Sequence, residues 1–168
     1  YFGTTGHWTS HDASSIRIEP DGGVLVTSGV TSIGQGTETA IAALTADALG
    51  IPIETVTVQT GDSDLCPYGL GAWGSRGAIS FAGSILKAAK IVRDKAVRIA
   101  AHLLEASEQD VDIGDGGFHV KGSPASFVSW ADVGLVASIR TLDLPDDIEP
   151  GLEETAVYDP ANLEHRVD

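Results

Sequence analysis

The sequence predicts an α+β fold: a two-layer domain with two main helices on one face of a mixed β-sheet. Three observations predict it. Short Ile/Val-rich runs bounded by Gly, Asp and Pro read as strands. Two stretches repeat apolar residues at steps of three and four, as helices do. The segments follow one another in the order β-β-α-β-α-β-β. With 168 residues, 42% of them hydrophobic, the chain can bury one substantial core.

The elements follow in order. "SSIRIEP" (14–20) and "GVLVTSG" (23–29) flank Asp21-Gly22-Gly23, the turn chemistry of a hairpin. A helix is expected over 37–49, capped by Thr37 and ended by Gly50, with Ile41, Leu44 and Ala48 on one face. Pro52 reinforces that stop, and a strand follows over 55–60. The glycine-rich stretch 62–80, "DSDLCPYGLGAWGSRGAIS", is too long for a mere connector, and long ordered loops are usually functional.

The second helix is expected over 81–106. Phe81, Ile85, Ala88, Val92, Ala96, Ile99 and Leu103 form its apolar stripe, and Lys87, Lys90, Arg93 and Lys95 its solvated sides. "VDIGDGGFHVKG" (111–122) reads as a second hairpin turning at 114–117, and a short helix follows at 130–137. The proline-containing acidic stretch "LDLPDDIEPGLEE" reads as extended. The sequence therefore divides into a domain over 1–138 and a linker over 139–168. The absence of any methionine predicts a segment of a longer polypeptide.

Net charge is −14. The ten Lys and Arg residues are scattered, which argues against nucleic acid as a partner. No apolar run approaches the roughly 18 residues of a membrane span. A lone cysteine, Cys66, excludes an internal disulfide and a multi-cysteine zinc site. With no signal-peptide pattern at the start, a cytoplasmic location is expected.

Several motifs dissolve under physical reading. "GLGAWG" (69–74) matches G-x-G-x-x-G but does not follow a strand directly, and Asp94 falls inside a helix, so a Rossmann site is not expected. His7 and His11 lack helical context and a third ligand, and read as surface residues. Asp62 and Asp64 read as caps of a turn. Ser75 is preceded by Trp73-Gly74, which does not fit a nucleophile elbow. Cys66 has no neighbour to activate it and reads as a packed thiol.

Two loops remain. Gly34 and Gly36 in "GQG" let backbone approach a ligand just ahead of a helix N-terminus, which suits an anion. Gln35 offers an amide able to donate and accept, and Thr37 a hydroxyl. In the second loop Gly74, Ser75, Arg76 and Gly77 offer N–H groups, a hydroxyl and a guanidinium fork. Such loops also occur as purely structural turns.

The stretch "SIGQGTETAIAALTADALGIPIETVTVQTGDSDLCPYGLGAWGSRGA", followed by "RIAAHLLEAS", "HVKGSP" and "EPGLEETAVYDPAN", resembles the large, molybdenum-binding subunit of the molybdenum hydroxylases. That family includes xanthine dehydrogenase, aldehyde oxidase and aerobic carbon monoxide dehydrogenase, and the last branch is the most similar. The resemblance runs from about Ser15 to nearly the end. It implies a molybdenum cofactor-binding domain and a molybdopterin cofactor, in bacteria commonly the cytosine dinucleotide form. It further implies partners in the rest of the large subunit and in iron–sulfur and FAD subunits or domains. The reaction implied is hydroxylation of a small substrate with water as oxygen source, or oxidation of carbon monoxide.

By motif match, Gly34, Gln35, Gly36 and Thr37 inherit cofactor contacts, as do Gly74, Ser75 and Arg76. The family's catalytic glutamate sits in a Gly-x-Gly-Glu motif that this sequence lacks. No catalytic residue is therefore expected in this chain, and no turnover by it alone. The competing expectation is a non-catalytic α+β binding or folding domain that keeps the fold without the cofactor.

Overall fold

The computed structural model describes residues 11–160. β1 (Asp12–Ile18) and β2 (Val24–Ser28) form the expected hairpin, with Ile16 opposite Val26. α1 (Thr37–Leu49) then carries the chain to β3 (Val56–Thr60), which pairs with β2 in parallel. α2 (Gly77–Leu103) leads to β4 (Val111–Gly114), β5 (Gly117–Val120) and β6 (Ser123–Ser129), a separate antiparallel sheet of three strands. α3 (Trp130–Ser138) follows, and β7 (Glu153–Tyr158) returns to pair antiparallel with β1. The main sheet is thus mixed, in the order β3-β2-β1-β7, as the α+β prediction requires.

One core holds these parts together. Ile16, Ile18, Val24 and Val26 project from the sheet, Ile41 and Leu49 from α1, and Ile85, Ala88, Val92, Ala96 and Ile99 from α2; all are buried. Each fully buried Ile, Leu or Val contributes on the order of 1.5–3 kcal/mol. Phe118 of β5 and Trp130 of α3 extend the same core, their rings 4.7 Å apart.

Three differences from the expected elements have identifiable causes. α2 begins at Gly77 rather than 81, because Gly77-Ala78-Ile79-Ser80 holds a single large apolar residue and shows no apolar periodicity. β6 was not foreseen: Pro124 and the serines mask it, and proline is tolerated there because β6 is an edge strand. The third is a correction. The stretch read as a linker from 139 onward supplies β7, with Ile148, Leu152 and Ala156 buried. Its acidic residues Glu153 and Glu154 hid a strand whose Ala156 faces the core. Residues 161–168 lie outside the described residues.

α2 lies close to the main sheet because small residues line the contact. Ser14 of β1 shares a 2.8 Å hydrogen bond with Ser84 of α2 and donates to Ser28 of β2 at 3.1 Å. A Cβ on Gly83 would come within 2.2 Å of the Tyr158 ring, so only glycine lets β7 close onto α2.

α3 opens with a capping box: the Ser129 hydroxyl accepts from the Asp132 amide, and the Asp132 carboxylate accepts from the Ser129 backbone. The Ser129 hydroxyl, then its backbone N–H, holds the Asp132 carboxyl below its ordinary value of 3.8, against a smaller opposing effect of burial. A depressed carboxyl stabilises the fold above its ordinary pKa and loses that contribution as pH falls through the lowered one. Ser129→Ala is expected to cost about 1 kcal/mol in urea denaturation at pH 7. The wild-type advantage should shrink as pH falls below 3.8. A difference that grows on acidification would contradict the assignment.

Candidate functional site

Parallel pairing of β2 and β3 puts the carboxyl ends of both strands at one edge of the main sheet, with Ser28 opposite Thr60. The GQG loop leaves from the first and the long loop from the second, so both emerge at that edge. Crevices outside the carboxyl ends of adjacent parallel strands are the usual ligand positions in such sheets. β1 runs antiparallel to β2, so its first residue, Asp12, lies at the same edge.

The two loops meet across a cavity of about 450 Å³, within the range of small-molecule sites. Gln35, Gly36, Thr37 and Ala40 line it from the GQG loop and the first turn of α1. Trp73, Gly74, Ser75, Gly77, Ala78 and Phe81 line it from the long loop and the first turns of α2. Of the residues expected at the ligand, Gln35, Gly36, Thr37, Gly74 and Ser75 are therefore brought together. Gly34 and Arg76 do not line this cavity.

Both helices start without a side-chain cap. At α1 the N-cap is Gly36, in the left-handed region at φ 76°, and the first intrahelical bond is donated by Ala40. The expectation of Thr37 as cap is corrected: Thr37 is one residue inside the helix, buried, and lines the cavity. At α2 the N-cap is Arg76, and Ser80 donates the first bond. The amides of Thr37, Glu38 and Thr39, and of Gly77, Ala78 and Ile79, thus have no intrahelical acceptor. Each helix end carries about half a positive charge.

Among the described residues, no Asp, Glu, Lys, Arg, His or Cys lines the cavity. Glu38, in the first turn of α1, accepts instead from the Thr60 hydroxyl at 2.9 Å. The Gln35 carbonyl oxygen accepts from the Ile33 amide at 2.6 Å, which ties the GQG loop on itself and engages the accepting end of the side chain. The long-loop wall turns through consecutive left-handed residues, Gly74 at φ 55° and Ser75 at φ 59°. A non-glycine residue held there costs about 1–2 kcal/mol unless its surroundings enforce it.

Arg76 is placed behind the wall, not at its face. It is 3% exposed and paired with Asp12, which is fully buried. Its Nη1 donates to the Gly71 carbonyl at 2.8 Å, and Asp12 Oδ1 accepts from the Leu70 amide at 2.8 Å. Sequence reasoning missed Asp12, since nothing local marks a partner 64 positions away. It also missed Phe81, which reads as a plain helix residue, and Ala78, which reads as part of the long loop.

Of the other motifs, "GLGAWG" is split: Gly69 presses against the backbone of Gly29, where a Cβ would come within 2.3 Å of a carbonyl oxygen, while Ala72, Trp73 and Gly74 line the cavity. Asp62 accepts from the Asp64 amide at 2.9 Å, the expected turn cap. Cys66 donates to the Gln59 carbonyl at 3.4 Å. His7 lies outside the described residues. Among the described residues no group of three His, Cys, Asp or Glu is placed to hold a metal ion. No described helix is long and apolar enough to cross a membrane.

Comparison with known proteins agrees with this architecture. The family described as "Molybdopterin cofactor-binding domain" matches residues 1–167. The nicotine 6-hydroxylase large subunit of Paenarthrobacter nicotinovorans is 41% identical over 89% of the chain and 18% of its own length. The carbon monoxide dehydrogenase large chain of Hydrogenophaga pseudoflava is 40% identical over 90% and 19%. The crystal structure of quinoline 2-oxidoreductase from Pseudomonas putida 86 superposes with a TM-score of 0.82 at 44% identity, over 90% of this chain and 19% of that one. The chain thus spans under a fifth of these relatives. It belongs to the molybdopterin cofactor-binding domain family and corresponds to a segment of the large subunits of molybdenum hydroxylases.

Proposed function

We propose that this chain supplies two walls of a molybdopterin site in the large subunit of a molybdenum-dependent oxidoreductase. The anionic arm of the cofactor is held between the starts of α1 and α2. The observation that carries this reading is the convergence of two helix N-termini, neither capped by a side chain, on one cavity whose described lining residues carry no charge. Backbone amides and helix ends can hold a phosphate or pyrophosphate without a basic residue. The residues fit such a group in a second way: a Cβ at Gly36 meets no atom of the described residues within 4 Å, which leaves the backbone there open to close approach on that side.

Within this reading each residue has a physical task. Gly36, Thr37 and Gly77 present amides to the anion, and the Thr37 and Ser75 hydroxyls add donors. Gln35 turns its remaining NH2 toward the ligand. Trp73 and Phe81 exclude water on the apolar side, which strengthens the amide contacts. Bound cofactor supplies the two-electron redox centre for hydroxylating a small substrate with oxygen from water, or for oxidising carbon monoxide. The cytosine dinucleotide form, a cytoplasmic location, and partners in the rest of the large subunit and in iron–sulfur and FAD subunits or domains belong to this proposal.

Calorimetric titration with molybdopterin cytosine dinucleotide tests it. Saturable binding is expected, weakened about tenfold or more by Gly36→Val, which forces a β-branched residue to φ 76° at the cavity wall. Absence of binding, or equal binding by the variant, would favour a domain that keeps the fold without the ligand.

Among the described residues no titratable side chain lines the cavity, so those residues offer it no general acid or base. The chain loaded with cofactor and assayed with an artificial electron acceptor is therefore expected to show no turnover. Measurable substrate hydroxylation would overturn that expectation.

A further inference from the structure

We propose that Asp12 is a positioning residue for the cradle, acting through Arg76 to set the shape of the wall formed by Trp73, Gly74 and Ser75. The proposal rests on the reading of the cavity as an anion site. Its geometry is that of an arch held at both feet. One Asp12 carboxylate oxygen accepts from the Leu70 amide at 2.8 Å, where the arch begins, and the other is paired with Arg76, where it ends. The Arg76 guanidinium also donates to the Gly71 carbonyl at 2.8 Å and lies 5.8 Å from the centre of the Trp73 ring. One buried ion pair therefore fixes both ends of the arch and touches its crest.

Two further observations explain why the arch needs fixing. Its crest holds adjacent left-handed residues, and Ser75 at φ 59° is not glycine. Such strain persists only where surrounding contacts over-determine the backbone, and it clusters at functional sites. The preceding turn is also anchored on the main sheet: Ala13 of β1 donates to the Tyr68 carbonyl at 3.0 Å, and Gly69 packs on Gly29, just past the end of β2. Stability alone does not call for an ion pair here. A buried pair contributes little net stability compared with well-packed apolar residues, whereas it can enforce one backbone arrangement. Asp12 sits at the start of β1, so the pair ties the wall to the main sheet.

The test compares the wild-type chain with Asp12→Asn, Arg76→Lys and the doubly neutral Asp12→Asn/Arg76→Gln, using inorganic pyrophosphate as probe. The double variant removes both charges and is expected to fold even if a single variant with one buried unpaired charge does not. Two readouts are taken by NMR: backbone order parameters at Trp73, Gly74 and Ser75, and pyrophosphate affinity. In every variant that folds, the order parameters of these three residues should drop from the rigid range to below about 0.6 while those of β2 and α2 stay rigid. Affinity should fall about tenfold. The double variant should melt near wild type without recovering affinity. A folded variant with a rigid crest and wild-type affinity would overturn the proposal, as would loosening spread evenly through β1 and α2. If the wild-type chain fails to bind pyrophosphate, the anion reading of the cavity falls. The order parameters still decide whether Asp12 positions the wall.

Discussion

The parallel pairing of β2 with β3 is the constraint on which the cradle depends. Antiparallel strands would send their following loops to opposite edges of the sheet. Parallel strands joined by α1 send both to one edge, and each loop there runs into the start of a helix. The two helix ends therefore point at a shared space without any specific contact between them. The rest of the architecture serves this placement: β1 brings Asp12 to the same edge, and β7 closes onto α2 through the Gly83 notch.

The electrostatics of the proposed anion site are unusual. The chain carries a net charge of −14, and among the described residues no basic side chain lines the cavity to offset it. Attraction must come from oriented amides, whose effect is local and survives in a field that is negative at long range. Helix ends contribute about 0.3–1 kcal/mol each when exposed and up to about 2 kcal/mol when partly buried. Two of them approach the roughly 4 kcal/mol of a millimolar site. Tight retention of a cofactor then requires walls beyond these two, in keeping with a chain that spans under a fifth of its relatives.

What the sequence revealed was what local chemistry encodes. The Asp-Gly-Gly turn, the glycine ending α1 and the seven-residue apolar stripe of α2 each act within a few positions, and each was legible. Thr37 misled for a local reason. A threonine before a helical run looks like a cap, but the left-handed Gly36 takes that position and turns Thr37 inward. Arg76 misled for a non-local one. Its fork suited a phosphate as well as a carboxylate, and only the fold reveals Asp12 at its side. β7 was hidden because its acidic composition resembles a linker, and its pairing partner lies at the other end of the sequence. The pair of loops could be singled out from their glycines, and parallel strand direction is what makes them face one cavity.

The central claim is that α1 and α2 begin at one anion site rather than at two unrelated turns. An NMR titration of the wild-type chain with inorganic pyrophosphate, following every backbone amide, tests it most directly. The account predicts that Gly36, Thr37, Ser75 and Gly77 shift together, along isotherms that share a single dissociation constant. Shifts confined to one of the two loops, or two loops titrating with separate constants, would contradict it.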